Sequence, residues 1–592
     1  MKSCLAVGLL LTTLIGYALA EQPAVKYCKM DDVRVGMKGV GKTVMNGSRI
    51  QEFDCEVIGI LKKVFPNQDI IIARLSGLDI EKTGVIQGMS GSPIYVDGRL
   101  LGAVAYAWAF SKDSICGITP AEQMSTLISD INGDQGINLP LETRAPAFRP
   151  DWRGKADEQR NQVTTTGSMS FTRMRAPVVI SGCPPAVFER LASRLDQMGM
   201  LPVQGGGQAA DAGDAADLQP GSPVAIPLVD GDISVASIGT LTERVGNDVI
   251  GFGHPMMEMG RTELPLATAE INAIIPSSRI SFKLGSVGKT VGTLLLDRTE
   301  GICGRIGKIP HLVPLTVKVN RSDFAGTTTH SYKIADNPYL TPFLIDICLY
   351  SSVFMKGGLP QEYTIDYTVR LVTEDGQPIV IREKVSSESY GAWAFFWAVT
   401  DTAHMIMNNP FKPTTIKEMS AEMNLKVGVQ SAVIDSLRLA SVKVAPGKTA
   451  KLAVKLRRYR RQYETLEVEV PIPADLPEGL YDVSVCDSNR ARWADMAAAP
   501  ALFQPTNYEE FMRMLRLQYP NEELYVRISM PGTGVSVRGT ALPNLPGSHL
   551  SVLTPVGRTD TEFVGKFIKS SKATAYQIIG GQNVQMLVEK ED

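Results

Sequence analysis

Residues 84–104 read Gly-Val-Ile-Gln-Gly-Met-Ser-Gly-Ser-Pro-Ile-Tyr-Val-Asp-Gly-Arg-Leu-Leu-Gly-Ala-Val, and no other stretch constrains the fold as much. Gly88 to Pro93 is a run of mostly small residues that favours a tight turn. Ile94, Tyr95 and Val96 then have strand composition, and Asp97-Gly98 is the turn of a two-residue hairpin leading into a return strand. The glycines also have a chemical use. A developing oxyanion needs two backbone N–H groups aimed at one point, and small residues let a substrate come that close. Gly88 and Ser90 are placed to supply those N–H groups, and Ser90 to supply an attacking hydroxyl.

The rest of the composition sets bounds. A chain of 592 residues has room for roughly three to five domains. Its 44% apolar and 21% charged residues are those of ordinary globular protein, enough for a sizeable core. A net charge of −2 gives no field for steering phosphates, so nucleic acid is not an expected partner. Lys2, the apolar run Leu5–Leu19 and the small-x-small site Ala18-Leu19-Ala20 read as a secretory signal peptide over 1–20. Later apolar stretches are too short to span a bilayer; the best, Ala392–Met407, is broken by Asp401 and His404 and reads as a buried helix. The mature protein is therefore expected to be exported, in the periplasm or outside the cell. Eight cysteines become seven after cleavage, scattered without zinc-site spacing, so an odd thiol is left over and one or two disulfides have room to form.

Along the chain, 21–132 reads as short strands between glycine turns, with a linker after it over 133–219. The linker holds a polar stretch at 145–167, a helix over Ala186–Met198 capped by Gly199, and a low-complexity loop at 204–217. A second strand-rich block covers 220–310, a β-rich region with the apolar helix covers 311–440, and 441–592 alternates apolar and polar residues as a β-sandwich does. Arg457–Arg461 is a concentrated positive hairpin, read as a solvated face.

A serine hydroxyl needs a base. Of five histidines, His254 has the distinctive setting, ending an apolar strand in Val249-Ile250-Gly251-Phe252-Gly253-His254-Pro255. With these residues in view, Thr83–Val104 and Gly117–Pro120 resemble the nucleophile half of the SpoIVB peptidase family, the serine peptidases related to stage IV sporulation protein B. Phe53–Gly59 is similar to the strand that leads into that half, and Phe252-Gly253-His254 resembles the family's Gly-His motif. Gly288–Gly292 and Gly301–Gly304 are similar to the family's segments downstream of that motif. The resemblance implies a trypsin-like double β-barrel catalytic region, here continued by β-sandwich-like modules with a few helices, in a mainly β chain. It implies a protein or peptide substrate, no cofactor and no metal, with Ser90 as nucleophile, His254 as base, and Gly88 and Ser90 as the oxyanion hole.

Three departures stand beside it. The serine half precedes the histidine half, a permuted order that triad geometry tolerates. The register of the family's aspartate falls on Ser76, leaving Asp79, three residues on, as the candidate acid. No PDZ-like segment precedes the catalytic part. These departures keep a second reading open: a catalytically impaired peptidase-like scaffold serving as a binding or structural protein of the cell envelope.

Overall fold

The computed structural model describes residues 27–65, 68–108, 111–133, 162–164, 170–205, 214, 217–387, 395–537, 540–542, 546–553 and 561–590. The expected leader, nearly all of the 145–167 stretch and most of the 204–217 loop lie outside these residues. Among the described residues strands account for 52% and helices for 18%, a mainly β composition, as expected.

Six strands form the first unit: β1 (Lys38–Val44), β2 (Ile50–Phe65), β3 (Gln68–Ser76), β4 (Pro93–Val96), β5 (Arg99–Trp108) and β6 (Ile115–Pro120). They pair antiparallel in the order β4-β1-β2-β3-β6-β5, and the β4–β5 hairpin closes the ring. Alternation explains the closure. Phe53, Cys55 and Val57 point inward from β2 and meet Ile71, Ala73 and Leu75 of β3, with Ile94, Val104 and Ile118 completing the core.

Four short strands come next: β7 (Gln162–Thr164), β8 (Ser170–Arg173), β9 (Pro177–Ser181) and β10 (Leu201–Gln204). β8 extends the first sheet beside β5. Between β9 and its parallel neighbour β10 runs the helix Pro185–Gln197, one residue from the expected position. Its Val187, Leu191 and Leu195 are buried on one face, as a 3.6-residue period requires.

The second barrel is built from β11 (Pro223–Gly231), β12 (Ser234–Val245), β13 (Asp248–Gly251), β14 (Gly260–Ile275), β15 (Phe282–Arg298) and β16 (Gly301–Ile306). Its ladders run β11-β12-β13-β16-β15-β14 and return to β11, where Val224 meets Thr268. Counted from the first strand of each unit, both barrels share the same cyclic order, 1-2-3-6-5-4. The sheet then continues from β11 through β18 (Thr327–Ala335), β17 (Leu312–Arg321), β21 (Ile416–Val427), β19 (Tyr363–Thr373) and β20 (Pro378–Ser387). The helix Thr341–Phe354 is buried on nearly every side in this region, and the expected apolar helix is present as Trp397–Met407.

Beyond residue 430 two sheets share one core, in which Val454, Leu456 and Val470 of one meet Val483, Val485 and Val526 of the other. This is the sandwich that the alternation predicts. In the arginine hairpin, Arg458 bonds Glu464 at 3.3 Å and Arg460 bonds Glu362 at 2.6 Å. All seven cysteines from Cys28 to Cys486 are free thiols, six of them buried. No helix among the described residues is long and apolar enough to cross a membrane.

Candidate active site

Ser90 and His254 occupy matching places, each in the connection from the third to the fourth strand of its barrel. In the serine loop, Met89 N–H donates to Ile86 C=O (3.0 Å) and Ser92 N–H to Met89 C=O (2.8 Å), wrapping two tight turns around Ser90. Gly91 N–H reaches Val104 C=O at 2.8 Å, which fixes the loop onto its own hairpin. Gly91 has φ +91°, and a Cβ there would fall 1.9 Å from Thr240 O and 2.4 Å from Phe252 N. Only glycine fits that contact, and it is where the two barrels touch.

Threonines of β12 stitch the contact. Thr240 N–H donates to Ser90 C=O (2.9 Å), its Oγ1 donates to Gly88 C=O (2.9 Å), and its own carbonyl accepts from Phe252 N–H (3.2 Å). Thr242 Oγ1 donates to Gly91 C=O at 2.7 Å. From the other side, Thr119 Oγ1 of β6 donates to Gly253 C=O at 2.6 Å, and Gly253 lies against Ala103 and Ala105. Phe252 itself is held at φ +65°, a costly conformation for a bulky residue, with its ring fully buried.

The serine and imidazole side chains are both enclosed, with exposures of 0% and 1%. Neither Ser90 Oγ nor His254 Nε2 has a hydrogen-bond partner among the described residues, so the two loops meet while the two groups stay unbonded to each other. His254 Nδ1 lies 2.8 Å from Pro255 O. A carbonyl only accepts, so Nδ1 carries the proton and Nε2 presents a lone pair. Burial, with a smaller push from the Arg173 charge, drives the imidazole pKa down to about 4, against the opposing Pro255 hydrogen bond. It is neutral at pH 7.

The N–H groups of Gly88 and Ser90 have no acceptor among the described residues. Beneath Gly88 runs the stem of Lys283, fully buried, with Nζ donating to Thr43 Oγ1 at 2.7 Å. Burial pushes its pKa down to about 7.

The expected acid is elsewhere. Asp79 precedes the single helical turn Ile80–Thr83 at φ +58°, and its carboxylate bonds Lys82 at 2.8 Å with 72% of the side chain exposed. The turn faces solvent, so Asp79 cannot orient a buried imidazole. Ser76, the residue at the aspartate register, closes β3 opposite Asp54. Sequence reasoning missed Thr240 and Thr242, which read as ordinary strand threonines, and it missed Asp297. That residue, next to last in β15, is fully buried, and its carboxylate accepts from the N–H groups of Met256 (2.7 Å), Met257 (2.8 Å) and Met259 (3.2 Å). A lone acid after Leu294-Leu295-Leu296 was the signal available.

No curated protein matches the chain, and no solved structure does. A family model described as SpoIVB peptidase S55 does match, over a segment that contains the Ser90 loop and stops short of His254. The match covers residues 17–124, which are thus similar to the SpoIVB peptidase S55 family, a family of peptidases.

Proposed function

We propose that the chain is an exported serine endopeptidase working through an acyl-enzyme. Ser90 Oγ attacks the scissile carbonyl while His254 Nε2 takes its proton, and the same proton passes to the leaving amine. Gly88 and Ser90 N–H groups hold the oxyanion, and water then releases the acyl group from Ser90. The observation that carries this reading is the pair of enclosed, partnerless polar atoms, Ser90 Oγ and His254 Nε2, on loops packed together at Gly91 and Phe252. Buried polar atoms without partners are costly and rare, and a reacting site is where that cost has a return. The site is closed, so substrate reaches Ser90 only after the loops part. The expected leader supports export.

A second reading is favoured by two observations: Ser90 is fully buried, and the imidazole rests on a carbonyl rather than a carboxylate. Under it the barrels are a non-catalytic scaffold that binds other envelope proteins. Fluorophosphonate labelling of the purified full chain separates the two. Wild type should be labelled, Ser90→Ala should lose the label entirely, and Ser92→Ala should keep it at least in part. Labelling of Ser90→Ala equal to wild type would remove Ser90 as nucleophile, and an inert wild type would favour the scaffold.

A further inference from the structure

His254 has no carboxylate on Nδ1, yet a carboxylate lies one peptide away. Met256 N–H, which donates to Asp297 Oδ1 at 2.7 Å, belongs to the same peptide unit as Pro255 C=O, which accepts from His254 Nδ1 at 2.8 Å. Amide resonance couples the two ends of that unit, so drawing on the N–H enriches the carbonyl oxygen. Asp297 has no Lys or Arg ion-pair partner among the described residues; its acceptor sites are taken up by the backbone after His254.

We propose that Asp297 is the positioning residue for His254, acting through the Pro255–Met256 peptide in place of the direct acid–imidazole contact. The proposal rests on the serine–histidine reading above and deepens it. The carboxylate fixes the loop from Met256 to Met259, the loop fixes the Pro255 carbonyl, and the carbonyl fixes the Nδ1–H tautomer and the ring plane. When Nε2 takes the Ser90 proton, Nδ1 keeps its own, and the polarised carbonyl stabilises the imidazolium. Asp297 exchanges no proton. This countercharge is weaker than a touching carboxylate and works against Arg173, whose charge disfavours the imidazolium and which lies 3.7 Å from Glu258.

The test compares Asp297→Asn with Asp346→Asn, a buried carboxylate bonded to Arg190 at 2.6 Å and not to the His254 loop. Two quantities are read on the full chain: the rate of Ser90 labelling per folded molecule and the NMR resonance of the His254 Nδ1 proton. Asp297→Asn should slow labelling by about 10–100-fold, the range for a partner that orients a functional histidine, and should move the Nδ1–H resonance. Asp346→Asn should do neither. A wild-type labelling rate or an unmoved resonance in Asp297→Asn would overturn the proposal. If wild type does not label but the resonance moves, the relay stands and the serine peptidase reading falls. If Asp297→Asn does not fold, wild type supplies the answer: the Met256 N–H and His254 Nδ1–H signals should titrate with one midpoint, and separate midpoints overturn the relay.

Discussion

The two barrels share a ladder order and the position of their key loop, yet they hold that loop by different means. The Ser90 loop is held by its own backbone turns, by amide and hydroxyl bonds from Thr240 and Thr242 and by glycines at φ +95° and +91°, with no carboxylate involved. The His254 loop is held by a buried carboxylate 41 residues away and by a strained Phe252. The first device keeps two N–H groups and a hydroxyl free, which suits an electrophile's approach. The second fixes a ring and its tautomer, which suits proton transfer. In the proposed function, one fold carries two chemistries by changing what its third-to-fourth connection is tied to.

The largest effect should come from breaking the contact between them. Gly91→Ala puts a methyl group 1.9 Å from one backbone atom of the second barrel and 2.4 Å from another, at a φ that disfavours any side chain. Backbone on both sides cannot yield, so a loss of more than about 3 kcal/mol is expected, with labelling of Ser90 abolished. Urea denaturation with parallel labelling measures both. A mild change would show that the barrels do not depend on this contact.

The next effect separates the barrels by pH. The His254 pKa is about 4 folded against 6.5 unfolded, so between these values the unfolded chain binds a proton that the folded chain refuses. Stability from this group is complete above pH 6.5 and falls as pH drops toward 4, by about 3 kcal/mol over the window. His254→Gln should lack that loss, seen as a flatter dependence of urea midpoint on pH. Equal slopes for both proteins would mean the imidazole is not enclosed in solution. Gly253→Ala should cost less, about 1–2 kcal/mol, because the methyl group would meet Ala103 and Ala105 side chains at 3.1–3.2 Å as well as Val104 O at 3.3 Å. A cost equal to that of Gly91→Ala would erase the difference between the loops.

Legibility in the sequence divides along the same line. The Ser90 loop was legible because its geometry depends on neighbours in the chain, and Gly88, Gly91, Pro93 and the Asp97-Gly98 turn are all local. The sandwich beyond residue 430 was legible from alternation in Leu452, Val454 and Leu456. Strand pairing across long separations was not. Nothing in β11 announces that one edge will pair with β12 while the other is shared, Val224 meeting Thr268 and Val229 meeting Ile334. The partners of His254 were hidden for the same reason, because an acid at the end of an apolar strand carries no mark of the loop it will hold. Asp79 drew attention only as the acid three residues beyond the register position Ser76, and such nearness says nothing about which way a turn faces.

The smallest expected effect sharpens that last point. Asp79 and Asp297 are the two carboxylates compared for His254, one chosen for its nearness to the register position Ser76 and one for its hydrogen bonds to the loop. Asp79 lies in solvent with Lys82, an exposed i,i+3 pair of the kind that salt screens and that contributes little. Its neutral form should therefore change neither the midpoint of unfolding nor the labelling of Ser90. Asp79→Asn made beside Ser76→Ala tests the whole segment, since Ser76 stands at the register itself. Unchanged rates in both variants, against a slowed Asp297→Asn, would move the orienting role from the serine barrel to the histidine barrel. A slowed Asp79→Asn would mean that the Gly77–Thr83 turn swings inward when substrate opens the site, bringing the carboxylate to a ring that the closed structure keeps from it.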